Sequence, residues 1–169
     1  DRIYIAASVG LVGPPQVRVR GFDPLTGRAD GWQTASIGQG YSGFVGSMAV
    51  SGSRLHVTGG FSVVDGTPRA RYAAFDLATA RLTPWEPAVS AAADALVGDG
   101  TRVAVVGRFR SAGGAYTSYL AALDLHTGRP SALTLPAMPV AVTALAASGP
   151  LVVAGAGDTI VAFSAGSGS

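Results

Sequence analysis

The chain has 169 residues, enough for one domain that withdraws roughly 70% of its extended surface from water on folding. With no cysteine, disulfides, thiolate metal sites and a cysteine nucleophile are excluded. Its 12 basic and 10 acidic residues leave a formal +2, too small and scattered for a nucleic-acid footprint.

Short β-branched or aliphatic runs, bounded by Gly, Pro or Ser, follow one another along the chain. In order they are RIYIA (2–6), VRVRGF (17–22), GWQTA (31–35), SMAVSGS (47–53), RLHVT (54–58), RYAAF (71–75) and PWEPA (84–88). The series continues with DALVGDGT (94–101), RVAVV (102–106), YLAAL (119–123), TLPAM (134–138), TALAASGP (143–150), PLVVA (150–154) and TIVAF (159–163). No apolar run among them reaches the ~20 residues of a membrane-spanning helix, because Arg, Asp or Gly interrupts each one. A charged start followed by an apolar stretch and a small-residue cleavage site is also missing, so no export signal is read here.

The runs repeat with a period of 48: Arg54 matches Arg102, Gly59 matches Gly107, Phe61 matches Phe109, Gly66 matches Gly114 and Asp76 matches Asp124. Arg2 and Asp23 open a first copy that is a few residues longer, and VAFSAGSG (161–168) aligns with AAFDLATA as a degenerate last one. Each copy reads as pieces A (SMAVSGS, DALVGDGT, TALAASGP), B (RIYIA, RLHVT, RVAVV, PLVVA), C (VRVRGF, RYAAF, YLAAL, TIVAF) and D (GWQTA, PWEPA, TLPAM), with a Ser-Gly or Asp-Gly hairpin between A and B. Four antiparallel strands per period predict an all-β fold of β-propeller blades. The expected divisions are a partial first blade (1–37), a second (38–90), a third (91–139) and a partial fourth (140–169). The first lacks piece A and the last lacks piece D, so the reading expects an incomplete propeller: a fragment of a larger ring, or a chain that needs partners.

The most visible repeat unit is Asp-x-x-Thr-Gly, at Asp23, Thr26 and Gly27, at Asp76 and Thr79 with Ala80 in the glycine place, and at Asp124, Thr127 and Gly128. Its chemistry is that of a turn: a carboxylate accepts N–H groups two and three residues on, and glycine supplies a positive φ. Nine residues after each Asp stand Trp32, Trp85 and Leu133, an offset suited to an apolar side chain docking between neighbouring blades.

Candidate catalytic constellations are weak. His56 lies in a strand and His126 in a turn, about 70 positions apart and without a carboxylate cluster, so neither is read as a metal ligand. GYSGF (40–44) has glycines at the wrong offsets for a nucleophile elbow, and GAGD (155–158) joins two strands rather than opening a helix. Asp65, Asp94 and Asp158 fit turn or strand-end positions better than acid or base roles. No metal or cofactor is expected.

The antiparallel order puts the A–B and C–D turns at one end of the blades and the B–C and D–A connections at the other. That second end receives SVGLVGPPQ (8–16), GQGYSGF (38–44), FSVVDGTPRAR (61–71) and FRSAGGAYTS (109–118). Tyr41, Phe61, Arg69, Arg108, Arg110 and Tyr116 lie there, a mixture of aromatics and arginine of the kind enriched at recognition surfaces, and are the candidate binding residues.

The strings Ala-x-Asp-x-x-Thr-Gly-x-x-x-x-Trp and Gly-Gly-Phe…Gly…Arg…Trp-x-Pro, the second beginning at Gly59-Gly60-Phe61, resemble the repeats of quinoprotein alcohol dehydrogenase-like (PQQ-repeat-like) β-propellers, common in secreted bacterial proteins. The resemblance implies the turn and docking positions named above, an extracytoplasmic setting, and a superfamily holding both quinone enzymes and non-catalytic scaffolds. The quinone pocket of the enzymes uses an adjacent-cysteine disulfide and an Asn at calcium, and this chain has neither Cys nor Asn. The reading is therefore a module for recognition of a protein or carbohydrate partner, joined by further blades or neighbouring chains, without nucleic acid or a membrane span. Its alternative is a fragment of a propeller enzyme, quinone-dependent or hydrolytic, with catalytic groups outside this chain.

Overall fold

The computed structural model describes residues 2–9, 16–38, 43–117, 119–131, 142, 144–148 and 151–164, and within them every regular element is a β-strand. Among the described residues no helix is long and apolar enough to cross a membrane. Sheet 1 is β1 (Ile3–Val9), β2 (Gln16–Phe22) and β3 (Ala29–Gln33) in that order. Sheet 2 is β4 (Val45–Ser51), β5 (Arg54–Gly59) and β8 (Tyr72–Asp76), with a ribbon of β6 (Val63–Val64) and β7 (Thr67–Pro68) between the last two. Sheet 3 repeats this plan with β9 (Ala95–Gly98), β10 (Arg102–Val106) and β13 (Leu120–Asp124), and a ribbon of β11 (Ser111–Ala112) and β12 (Ala115–Tyr116). Sheet 4 is β14 (Ala144–Ser148), β15 (Leu151–Ala156) and β16 (Thr159–Ser164). Every pairing is antiparallel, and the 48-residue period is visible in register: Arg54 faces Asp76 as Arg102 faces Asp124.

The expectation of four full strands per copy needs correction. Piece D forms a strand in the first copy, as β3, and in the second it shrinks to a single bridge, Phe75 to Leu82; in the third, Leu123 bridges Pro130, and TLPAM (134–138) itself lies outside the described residues. Proline explains the loss in the second copy, since Pro84 and Pro87 follow the bridge and proline cannot donate to a ladder.

Burial separates the middle sheets from the outer ones. β2 and β15 alternate buried and partly exposed residues, whereas β5, β8, β10 and β13 are buried at nearly every position. The second and third main strands of sheets 2 and 3 are covered on both faces. One cluster, with Val19, Trp32, Ile37, Leu55, Val57, Phe61 and Phe75, fills the space between sheets 1 and 2; a second, with Tyr72, Ala74, Trp85, Val103, Val105 and Phe109, fills that between sheets 2 and 3. Alanine pairs in the C strands, Ala73–Ala74 and Ala121–Ala122, are small enough to let sheets approach on both sides. The first strands β4, β9 and β14 pack side by side in a row.

Candidate functional site

Both ends of the sheets are built by hydrogen bonds between connections. At the turn end, Asp23 Oδ1 accepts the N–H groups of Leu25 and Thr26 at 2.8 Å each, and Asp76 and Asp124 repeat this with residues 78 and 79 and residues 126 and 127. The hydroxyls of Thr79 and Thr127 donate to the same carboxylates at 2.8 and 2.7 Å. These bonds hold all three carboxyls below the usual carboxylate range; the leading contribution comes from the Thr26 N–H at Asp23, the Thr79 hydroxyl at Asp76 and the Thr127 N–H at Asp124. The fifth residue takes φ of 66° in Gly27, 57° in Ala80 and 69° in Gly128, so Ala80 sits in the left-handed region that its Cβ disfavours.

The turns also receive side chains from the preceding sheet, a feature that sequence reasoning missed. Trp32 Nε1 donates to the Leu77 carbonyl at 2.8 Å, and Arg2 reaches the same oxygen at 3.4 Å. One repeat later, Trp85 Nε1 donates to the Asp124 carbonyl at 3.1 Å and Arg54 to the Leu125 carbonyl at 2.7 Å. An arginine opening strand B and a tryptophan after strand C thus staple sheet 1 to the turn of sheet 2 and sheet 2 to the turn of sheet 3. The signal was present in the matched Arg2 and Arg54, which carry polar contacts as well as register. At the first junction the Arg2 guanidinium also pairs with Asp30 and lies 5.7 Å from the Trp32 ring, while Tyr4 meets Trp32 edge-on at 4.9 Å. Arg2 holds the Asp30 carboxyl below its ordinary range, with help from the Trp32 N–H. Arg2, Tyr4, Asp30, Val50 and Leu77 line an open cleft of about 640 Å³ here.

At the opposite end, the ribbon of each B–C connection docks on the exit of the preceding sheet. Ile37 bridges Val64, and Gly38 N–H donates to the Val63 carbonyl; likewise Val89 bridges Ala112, and Ser90 N–H donates to the Ser111 carbonyl. Ser90 Oγ accepts the N–H groups of Arg110 and Ser111 at 3.0 and 3.2 Å, and Thr117 N–H donates to the Arg110 carbonyl at 3.1 Å. The backbone that carries Arg110 and Tyr116 is therefore held on both sides.

The six candidate binding residues do not form one surface. Phe61 is buried in the core between sheets 1 and 2, as its repeat mate Phe109 is between sheets 2 and 3; both anchor their connections and do not reach solvent. Arg69 is turned inward: its guanidinium donates to the carbonyls of Pro68 and Thr83 and pairs with Glu86 at 3.4 Å, leaving its side chain 11% exposed. Phe61 and Arg69 are thus structural, because their connection must be tied to the sheet it leaves. Tyr41 lies outside the described residues. Arg108 and Arg110 are exposed, and Tyr116 is 81% exposed. Of the docking positions, Trp32 and Trp85 are buried and Leu133 lies outside the described residues. Among the described residues no three of His, Asp and Glu converge as a metal site would require.

No protein-family model matches the chain, and no curated protein matches it. Among solved structures it is similar to the computationally designed Ika8 protein, with a TM-score of 0.54 and 19% identity over 94% of this chain. The chain spans 45% of that protein's length. A similarity to the computationally designed Ika4 protein is looser, with a TM-score of 0.39 and 15% identity over 79% of this chain and 98% of that one.

Proposed function

We propose that the chain is a run of β-propeller blades serving as a non-catalytic recognition module, and that its loop end binds a carboxylate-bearing partner, protein or carbohydrate. The observation that carries the binding assignment is the placement of exposed Arg108, Arg110 and Tyr116 on a connection whose backbone is pinned by Ser90. Guanidinium groups pair with carboxylates through two parallel hydrogen bonds, and an exposed phenol ring offers a flat face for a sugar or side chain; neither role needs a perturbed pKa. A pinned backbone lowers the ordering cost of binding. The blade reading is supported by the shared strand order of sheets 2, 3 and 4, by the row of β4, β9 and β14, and by the staple that recurs from one junction to the next. The resemblance of the repeats to those of secreted bacterial propellers supports an extracytoplasmic setting.

A nuclear magnetic resonance titration with a uronic-acid oligosaccharide and with a polyglutamate peptide tests the binding assignment. Shifts are expected over residues 108–117 with at least one of the two. Replacing Arg108 and Arg110 together by Ala is expected to weaken binding by about 1–3 kcal/mol without unfolding the chain. Shifts confined to residues 23–28, 76–81 and 124–129, or binding unchanged in the double variant, would overturn it.

A further inference from the structure

His56 stands on the face of sheet 2 that looks toward sheet 3. It is fully buried, neither Nδ1 nor Nε2 has a hydrogen-bond partner, and its ring meets the edge of Trp85 with centroids 4.5 Å apart. Its neighbours across the strands are Ala49 on β4 and Ala74 on β8. The repeat puts Tyr4, Ala104 and Val152 at the same place in the other sheets, so the strand position itself has no need of an imidazole. A buried ring with two unpaired nitrogens is a destabilising choice that the other three copies avoid.

We propose that His56 makes the junction of sheets 2 and 3 an acid-sensitive latch, closed while the ring is neutral and opened by its protonation ahead of the rest of the fold. An imidazolium carries two N–H donors, and the closed junction offers neither an acceptor. The surrounding charges add no relief. Arg54, two residues before it on β5, repels the cation; β4 and β9 carry no ionisable side chain. Tyr72 on β8 is uncharged, held by its hydroxyl's bond to the Ala91 carbonyl. The carboxylates of Asp76 and Asp124 are engaged in their own turns, and Glu86, next to Trp85, pairs with Arg69.

Burial first, and Arg54 second, push the ring from its ordinary 6.5 down to about 3. Between those values the open form takes up a proton that the closed form refuses, so opening grows as pH falls from 6.5 toward 3 and is insensitive to pH above that window. The same cluster holds Phe109, Val89 and Ala112, which seat the connection bearing Arg110 and Tyr116, so opening loosens that connection too. The latch itself does not depend on what the loop end binds.

Amide hydrogen exchange of the whole chain at pH 7 and pH 5, corrected for intrinsic exchange rates, tests it in the parent and in His56→Val and His56→Tyr, the residues found at this position in sheets 4 and 1. The expected result is an increase in opening on the order of tenfold at pH 5 for β5, β8 and β10, absent from β1 and β2 and absent from both variants. An equal increase in the variants, a uniform increase across all four sheets, or no increase would overturn the proposal. So would a His56 ring resonance that titrates near 6.5 in the folded parent, which needs no variant to fold.

Discussion

The junction between sheets 1 and 2 and the junction between sheets 2 and 3 use the same parts to different effect. Each has an arginine opening strand B, an aromatic ring two residues later and a tryptophan donating to the next turn. In the first they are Arg2, Tyr4 and Trp32; in the second, Arg54, His56 and Trp85. In the first, Arg2 and Tyr4 border an open cleft, Tyr4 is half-buried and Trp32 is 8% exposed; in the second, His56 and Trp85 are buried at 0% and 1%. The second junction is covered by β4 beside β9, while among the described residues sheet 1 has no such first strand beside β4. A repeated motif therefore sets which contacts form, and the neighbouring strand sets how much each contributes, because both hydrophobic transfer and hydrogen bonds strengthen as water is excluded.

Unequal truncation costs would be the sharpest expression of that difference. Trp85→Ala is expected to destabilise the chain by about 3–5 kcal/mol, and Trp32→Ala by about 2–3 kcal/mol because its surroundings are wetter. Equal losses in a denaturant titration would break the comparison. The arginines are expected to follow in the same order, with Arg54→Ala costing about 1–2 kcal/mol and Arg2→Ala less than about 1 kcal/mol, since an exposed guanidinium is screened. Thermal melts of the two variants check the ranking, and a larger loss for Arg2 would reverse it.

The smallest effect concerns the turn that the first junction uses as its acceptor. Ala80→Gly is expected to stabilise the chain by about 0.5–1 kcal/mol, because the left-handed φ of 57° costs alanine more than the added backbone freedom costs glycine. The reverse changes, Gly27→Ala and Gly128→Ala, should destabilise, and a loss of stability in Ala80→Gly would refute the turn geometry. Acid should act in two windows that open at different pH. The His56 window begins below about 6.5, whereas the turn carboxylates, held below 3.8, give up their stabilisation only as pH falls through the carboxylate range. In His56→Val the upper window should vanish and the lower one persist.

The strands, their antiparallel order and the carboxylate-centred turns were legible from local chemistry alone, since β-branched runs, Ser-Gly hairpins and Asp-x-x-Thr-Gly act within a few residues. Piece D was overread in the second copy: its spacing matched the other pieces, but the prolines at 84 and 87 remove the donors a full strand needs. Phe61 and Arg69 carried the composition of a recognition surface, and composition does not say which way a side chain turns.

What the residues determined by themselves is the repeat and the sheets it makes, because period, turn chemistry and strand pairing are properties of short segments. Only the tertiary structure decided that Arg54 and Trp85 cross to the turn of the next sheet, that Phe61 and Arg69 point inward while Arg108, Arg110 and Tyr116 face water, and that His56 is sealed without a partner. Those outcomes depend on the packing of one sheet against another, and the distances that fix them join residues as far apart as Arg54 and Leu125.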